Sequence, residues 1–176
     1  MTTAELRALV RDVADFPNPG VGFRDITPVL ASPDAFRAAV DGLVELGRPF
    51  RPDHVLAAEA RGFLFGPAIA SALGAGFVLA RKPGKLPRET VSVEYELEYG
   101  VDRLEVHTDS LGPGAQVLVH DDLLATGGTA AALCRLVEEA GGDVVACGFL
   151  LELAFLDGRS LLEPYPVHAL LRDEAE

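Results

Sequence analysis

Residues 117–129 have the sequence VLVHDDLLATGGT, and this stretch decides the fold. An apolar run is followed by two adjacent acids and then by a small, glycine-rich turn that opens a helical pattern. The stretch therefore predicts a buried strand that leads through a loop into the amino end of a helix. Such a loop lets successive backbone N–H groups converge on an anion, and the helix end adds positive potential. The predicted anion-binding residues are Ala125, Thr126, Gly127, Gly128 and Thr129.

The two acids before this loop, Asp121 and Asp122, indicate what the anion belongs to. The stretch lacks the Gly-Lys-Ser/Thr ending of a Walker P-loop, and acids stand where a dinucleotide-binding fingerprint has glycines. A carboxylate accepts hydroxyl protons well, so the acids suit a ribose, and a nearby Mg²⁺ would offset their charge. The predicted ligand is a sugar phosphate. The complete pattern disfavours the alternative of two solvated acids before an ordinary capped helix.

Strand and helix patterns alternate on both sides of this stretch. Further strands are predicted at His54–Ala58, Phe77–Ala80 and Asp143–Leu151, and helices are predicted up to Gly74 and over Thr129–Ala140. The alternation predicts an α/β fold with a mainly parallel central sheet flanked by helices and with ligands at the carboxyl ends of its strands. A chain of 176 residues suits one domain, here residues 1–176.

Two helices are predicted before the first of these strands. One extends from the amino terminus through Val13, because Leu6, Leu9, Val10 and Val13 recur at helical spacing. The other is capped by Ser32 and ends at Gly47.

The charge balance excludes some classes of partner. A formal net charge of −12 makes most of the surface repel phosphate backbones, so nucleic-acid binding is not expected. The chain's only two lysines, Lys82 and Lys85, lie close to Arg81 and Arg88, which indicates a local anion site. Glycines and Pro67 interrupt the longest uncharged stretch, so no membrane span is expected.

The compartment follows from the cysteines and the amino terminus. Cys134 and Cys147 lie among apolar residues, which predicts reduced thiols in the core. The first residues have neither the basic start nor the apolar run of a signal peptide. We therefore expect a cytoplasmic protein.

The stretch 117–129 resembles the phosphoribosyl-pyrophosphate motif of type I phosphoribosyltransferases, in the form of the adenine-specific branch. Three further segments match that branch in the same order, so the resemblance spans nearly the whole chain. It implies a type I phosphoribosyltransferase-like fold with a flexible hood hairpin. It also implies a reaction of adenine with 5-phosphoribosyl-1-pyrophosphate that gives AMP and pyrophosphate. Asp121 and Asp122 would then bind the ribose, and residues 125–129 its 5′-phosphate.

The first matching segment, at about residues 12–30, contains the sequence FPNPGVGFRDITP. The resemblance implies that the backbone at Gly22 contacts the adenine edge, Phe23 stacks on the ring, Arg24 belongs to the same base site and Leu123 covers the other face. An apolar slot grips a purine face, and backbone groups distinguish an amino from an oxo substituent. Taken alone, the segment is typical of a proline-rich turn.

The second matching segment is Glu59-Ala60-Arg61-Gly62. It resembles the family's pyrophosphate loop, which implies a non-proline cis peptide at Glu59–Ala60. Arg61 would face the pyrophosphate and the base and would be a catalytic residue. The alternative is a surface ion pair between Arg61 and Glu59.

The third segment, residues 81–87, has the sequence RKPGKLP. In the resembled family Arg81, Lys82 and Lys85 bind pyrophosphate, with Arg81 reaching into the partner subunit's site, which implies a homodimer. The alternative is a solvated cationic loop.

The hood hairpin, at about residues 87–109, follows this segment. Apolar residues alternate with polar ones from Val91 to Tyr99, which predicts a half-exposed strand and a hairpin that projects from the sheet. The resemblance makes Glu98 and Tyr99 catalytic, with Glu98 taking the proton that leaves as the base attacks the ribose. Alternation alone makes Glu98 a polar-face residue.

Metal and rival functions complete the expectations. The chain's histidines have no metal-ligand spacing. Mg²⁺ is expected as a cofactor that is carried by the phosphoribosyl pyrophosphate and water, with no direct protein ligand. His120 stands where the family more often has an aliphatic residue, and we assign it no catalytic role. Two other functions stay open: the same reaction on hypoxanthine, guanine or xanthine, and a transcriptional regulator that senses phosphoribosyl pyrophosphate.

Overall fold

A computed structural model of the chain describes residues 1–97 and 100–175. The helices are α1 (Thr3–Arg7), α2 (Thr27–Ala31), α3 (Pro33–Gly47), α4 (Gly66–Leu73) and α5 (Gly128–Glu139). The strands are β1 (Arg11–Val13), β2 (Phe23–Asp25), β3 (His54–Ala58), β4 (Gly76–Ala80), β5 (Thr90–Leu97), β6 (Gly100–His107), β7 (Gln116–Leu124), β8 (Asp143–Leu153) and β9 (Val167–Asp173). Short 3-10 turns include Arg61–Leu64 and Gly158–Leu162.

Five of these strands form a parallel sheet in the spatial order β4-β3-β7-β8-β9. The chain leaves β3 toward β4 on one side and returns as β7 on the other side, so the winding reverses between β3 and β7. The carboxyl ends of strands at such a reversal border a crevice, where open α/β sheets bind their ligands. The predicted α/β fold with a parallel central sheet is confirmed.

The sheet is covered on both faces, and β7 contributes to both cores. Val117 and Val119 belong to the core that contains α5 and the hairpin, whereas Leu118 belongs to the core that contains α3 and α4. Leu133 on the first face and Phe65 on the second are fully buried. A parallel strand covered on both faces is a continuous apolar run, as β7 is from Val117 to Val119.

The N-terminal helix is shorter than its spacing predicts. It ends at Arg7, and Arg11–Val13 form β1 instead, which pairs antiparallel with β2. The predicted helix through Val13 is therefore wrong beyond Arg7. Leu6 and Val10 are buried, but Val13 is exposed, because the proline-rich loop folds back and offers β1 a strand partner that local spacing does not reveal.

The predicted hairpin is present as β5 and β6, which pair antiparallel. One apolar face of the hairpin packs into the core around α5, where Val93, Tyr95, Leu104 and Val106 are buried. The hairpin is therefore attached along that face rather than projecting freely from the sheet. Residues 98 and 99 lie outside the described residues.

Two buried polar or reactive groups in the core have no part in the predicted site. The Sγ atoms of Cys134 and Cys147 lie 3.5 Å apart and both thiols are free. His120 donates from Nδ1 to the carbonyl oxygen of Gly148 over 2.9 Å, and its Nε2 has no partner among the described residues. Burial lowers the pKa of His120 to about 4, and the Gly148 carbonyl opposes that shift.

Because folded His120 stays neutral, unfolding takes up a proton between pH 4 and its ordinary pKa of 6.5. Stability from the neutral ring is fully present above pH 6.5 and declines as the pH falls toward 4. We expect His120→Leu to remove this decline. As the pH falls through that window, the unfolding free energy of the variant should rise relative to that of the parent by up to roughly 1.4 kcal/mol per pH unit. Urea melts at several pH values measure it, and parallel pH dependences would contradict the prediction.

Candidate active site

The turn after β7 has the backbone of an anion-binding loop. Gly127 has a φ of +88°, which a side-chain-bearing residue adopts only with strain, and α5 begins directly after it. Free N–H groups at the start of α5 and the helix dipole attract negative charge to this point. We refer to Ala125–Thr129 as the phosphate loop. The loop, Asp121, Asp122, Leu123 and Arg61 line one pocket.

The acid pair lies at the mouth of this loop and is poorly hydrated. Asp122 is 3% exposed, Asp121 is half-buried, and the Asp122 backbone N–H donates to Asp121 Oδ1 over 2.9 Å. Burial and the neighbouring Asp122 raise the pKa of Asp121 well above its usual range. Burial also raises the pKa of Asp122, and the Arg61 guanidinium opposes this shift. Because burial disfavours the charged forms of these two acids, the pair favours ligands that donate hydrogen bonds or carry positive charge.

Arg61 joins the acid pair to Phe23 of β2. Its Nε lies 3.4 Å from Asp122 Oδ2, and its Cζ lies 5.4 Å from the centroid of the Phe23 ring, a cation–π contact. The alternative partner for Arg61, Glu59, pairs with other cations instead. The cis peptide predicted at Glu59–Ala60 is present. The turn after β3 thus reaches across to the end of β7.

Phe23 and Arg24, which are adjacent in β2, point to different places. Phe23 is half-buried and packs edge-to-face on Phe16, with ring centroids 5.0 Å apart. The preceding Gly22 is exposed. Arg24 is buried, and its Nε lies 3.0 Å from Asp173 Oδ2 and 3.1 Å from Asp12 Oδ1. The structure therefore brings Phe23 to Arg61 beside the pocket, but a base contact by Arg24 would have to come from its backbone.

The predicted pyrophosphate cations are paired with acids of the same chain. Arg81 Nη2 lies 3.0 Å and Lys85 Nζ lies 3.6 Å from Glu59 Oε2. The Lys82 ammonium forms an ion pair with Asp102 of the hairpin. Glu59 lies two residues before Arg61, so these cations border the same end of the sheet as the acid pair. The predicted catalytic residues Glu98 and Tyr99 lie outside the described residues.

Asp102 and Gly158 are contacts of the site that the sequence did not predict. Asp102 holds Lys82, and Gly158 touches the back of the phosphate loop, since a Cβ built on it would lie 2.2 Å from the Ala125 carbonyl oxygen. The Asp-Gly pair before Arg159 is a turn signal. Nothing local indicates that this turn returns to the loop.

Two further features concern the described ranges, 1–97 and 100–175. Within them, no group of three or more His, Cys, Asp or Glu side chains could hold a metal ion. No helix in that part of the chain is both long and apolar enough to cross a membrane.

Comparison with known proteins places this arrangement in a family. The phosphoribosyl transferase domain family matches residues 30–164, which is most of the chain. The adenine phosphoribosyltransferase of Rubrobacter xylanophilus is 57% identical over 171 residues, covering 97% of this chain and 92% of the relative.

Solved structures agree with the sequence match. The crystal structure of adenine phosphoribosyltransferase from Thermoanaerobacter pseudethanolicus has a TM-score of 0.95 at 49% identity and covers 98% of this chain and 100% of the other. The Saccharomyces cerevisiae enzyme, crystallised with adenine and an imino-altritol bisphosphate, has a TM-score of 0.91 at 40% identity and covers 96% and 98%.

The chain therefore belongs to the phosphoribosyl transferase family and, within it, to the adenine phosphoribosyltransferases. The predicted family and its type I fold are confirmed.

The contact between Arg61 and Asp122 predicts a titration effect. We expect Arg61→Gln to raise the pKa of Asp122 further, because the charge that opposes the effect of burial is lost. Carboxyl ¹³C chemical shifts of aspartate-labelled protein, followed from neutral to acidic pH, measure this pKa. Arg48→Gln is the matched control, because Arg48 pairs with Glu45 on the surface. An Asp122 titration unchanged in Arg61→Gln would contradict the ion pair.

Proposed function

We propose that this chain transfers the phosphoribosyl group of 5-phosphoribosyl-1-pyrophosphate to adenine, giving AMP and pyrophosphate, as in purine salvage. One observation carries the proposal: Arg61 contacts both buried Asp122 and the ring of Phe23, so one arginine links an acid pair suited to a ribose with an aromatic platform suited to a base. The adenine bound by the Saccharomyces cerevisiae relative supports the choice of base.

The sugar phosphate is assigned to the end of β7. Backbone N–H groups of the phosphate loop and the hydroxyls of Thr126 and Thr129 would donate to the 5′-phosphate. Asp121 and Asp122 would accept hydrogen bonds from the ribose hydroxyls. Their negative charge would also stabilise the positive charge that develops on the ribose as the pyrophosphate departs.

The base is assigned to the slot between β2 and the start of the loop. Phe23 would stack on the adenine ring and Leu123 would cover its other face, with backbone groups at Gly22 and Arg24 contacting the edge. Aromatic and apolar faces bind a purine without regard to its substituents, so the choice of purine falls to the backbone groups.

The leaving pyrophosphate is assigned to Arg61, Arg81, Lys82 and Lys85. Arg81 and Lys85 are paired with Glu59 and Lys82 is paired with Asp102, and phosphate oxygens would replace those carboxylates as partners. Mg²⁺, when bound, would neutralise charge on the pyrophosphate. The ion would be carried by the substrate and water. Arg81 would serve the partner subunit's site in a homodimer.

The hairpin is assigned the role of a hood that excludes water, a competing nucleophile, with Glu98 taking the base proton and Tyr99 contributing alongside it. Asp102 of the hairpin forms an ion pair with Lys82, one of the residues that would bind pyrophosphate. Loss of that pair on substrate binding would therefore couple occupancy of the site to the position of the hairpin. A cytoplasmic location completes the proposal.

Base choice tests the proposed reaction. AMP formation from adenine should depend on added Mg²⁺ and should exceed nucleotide formation from hypoxanthine, guanine or xanthine by about 100-fold or more in kcat/KM. Chromatographic detection of each nucleotide measures it. Faster reaction with one of the oxopurines would replace adenine as the substrate, and no nucleotide from any base would remove the proposal.

The acid pair has its own test. We expect the double substitution Asp121→Asn/Asp122→Asn to lower kcat/KM for phosphoribosyl pyrophosphate by about 100-fold or more, because ribose contact and charge stabilisation are lost together. The matched control is Glu138→Gln/Glu139→Gln, an adjacent acid pair at the exposed end of α5. Parental activity in the first variant would contradict the assignment.

A further inference from the structure

The phosphate loop rests on another piece of backbone, the 3-10 turn Gly158–Leu162. A Cβ on Gly158 would lie 2.2 Å from the Ala125 carbonyl oxygen, 2.9 Å from Gly127 N and 3.0 Å from Thr126 C. Reciprocally, a Cβ on Gly127 would lie 2.4 Å from the Gly158 carbonyl oxygen. The two backbones are therefore in direct contact, and neither glycine leaves room for a side chain.

Gly158 differs from Gly127 in why it must be glycine. Gly127 combines a left-handed φ of +88° with the close contact. Gly158 is not among the residues with positive φ, so any residue could adopt its backbone conformation. Only the closeness of the phosphate loop excludes a side chain there. The constraint on Gly158 therefore concerns the loop and not the turn's own geometry.

The turn is fixed to the sheet by Arg159. Its Nε and Nη2 donate to the two carboxylate oxygens of Glu152 over 2.6 and 2.7 Å, and its Nη1 donates to the carbonyl oxygen of Val167 over 2.7 Å. Glu152 is 3% exposed and lies in β8 opposite Leu124, the last residue of β7. The bidentate pair thus anchors the turn beside the point where the phosphate loop leaves the sheet.

Leu162 anchors the other end of the turn. Its side chain is fully buried in the core that contains α5. The turn therefore has an ionic attachment on one side and an apolar attachment on the other. Between them, Gly158 presents bare backbone to the phosphate loop.

The phosphate loop has little of its own with which to hold a shape. Its residues are Ala, Thr, Gly, Gly and Thr, which offer no large side chain for packing. Several backbone N–H groups must nevertheless point at one anion, and a displacement of about 1 Å in such a site costs roughly a hundredfold in rate. A rigid surface behind the loop supplies the missing constraint.

We propose that Gly158 and Arg159 are positioning residues that set the N–H groups of the phosphate loop for a phosphate monoester. The inference rests on the proposed function of that loop as the 5′-phosphate site. Neither residue contacts the ligand: Gly158 limits how far the loop can retreat, and Arg159 holds Gly158 in place through Glu152.

Gly158→Ala tests the contact, with Gly112→Ala as the matched control, because a Cβ on Gly112 meets nothing within 4 Å. Calorimetry with ribose 5-phosphate, together with separate KM values for phosphoribosyl pyrophosphate and adenine, provides the readouts. We expect Gly158→Ala to weaken ribose 5-phosphate binding about tenfold or more and to raise KM for phosphoribosyl pyrophosphate similarly. KM for adenine should stay within about twofold, since the base slot lies apart from the turn.

A second variant keeps the test valid if Gly158→Ala does not fold. Glu152→Gln/Arg159→Gln removes the ion pair without leaving a lone buried charge, and it should weaken ribose 5-phosphate binding in the same direction. Arg159→Lys keeps the charge but not the bidentate geometry, so its affinity should lie between that of the double variant and the parent.

Three results would overturn the inference. They are parental ribose 5-phosphate affinity in Gly158→Ala, parental affinity in the double variant, or equal loss of affinity for both substrates. The binding readout does not depend on turnover. A parent that binds ribose 5-phosphate but forms no AMP would remove the proposed reaction, and the affinity ratios would still decide the role of Gly158 and Arg159. A parent that does not bind ribose 5-phosphate would overturn both.

Discussion

Two adjacent carboxylates are held away from water at the carboxyl end of β7, and the parts of the site are arranged around them. Asp122 is almost fully buried, and the pKa values of both acids are raised because burial disfavours their charged forms. Burial follows from the position of β7, which is the middle strand of the sheet and is covered on both faces. Arg61 offsets part of this unfavourable burial, so the turn after β3 is bound to the end of β7.

The lysines of this acidic protein lie in one segment with Arg81, and all three cations are already paired. Glu59 holds Arg81 and Lys85, and Asp102 holds Lys82, so the cations that would meet pyrophosphate have counterions within the chain. These pairs are partly exposed and therefore weak, and exchange for a multiply charged pyrophosphate is favourable. The same pairs hold the hairpin and residues 81–85 at the same end of the sheet as Asp121 and Asp122. Charge pairing thus organises a site that net charge alone would make repulsive to phosphate.

The sequence predicted well those helices and strands whose formation does not depend on which other element packs beside them. The bounds of β3 match the prediction, His54–Ala58, because a continuous apolar run is buried whichever strands lie beside it. The end of α4 at Gly74 follows from a glycine in the left-handed conformation. By contrast, β1 was predicted as helix and β9 was not predicted at all. β1 is exposed throughout and most of β9 is only half-buried, so their hydrogen bonds to distant strands define them more than their composition does.

By itself the sequence determined the glycine-rich turn before α5 and the acid pair that precedes it, because each is a short run of neighbouring residues along the chain. The tertiary structure alone decided which charge meets which. Arg61 pairs with Asp122 rather than Glu59, and Arg24 turns to an aspartate 149 residues away. It also decided that Gly158 lies against the loop. Such contacts depend on distances set by the packing of the whole sheet, and no local pattern encodes them.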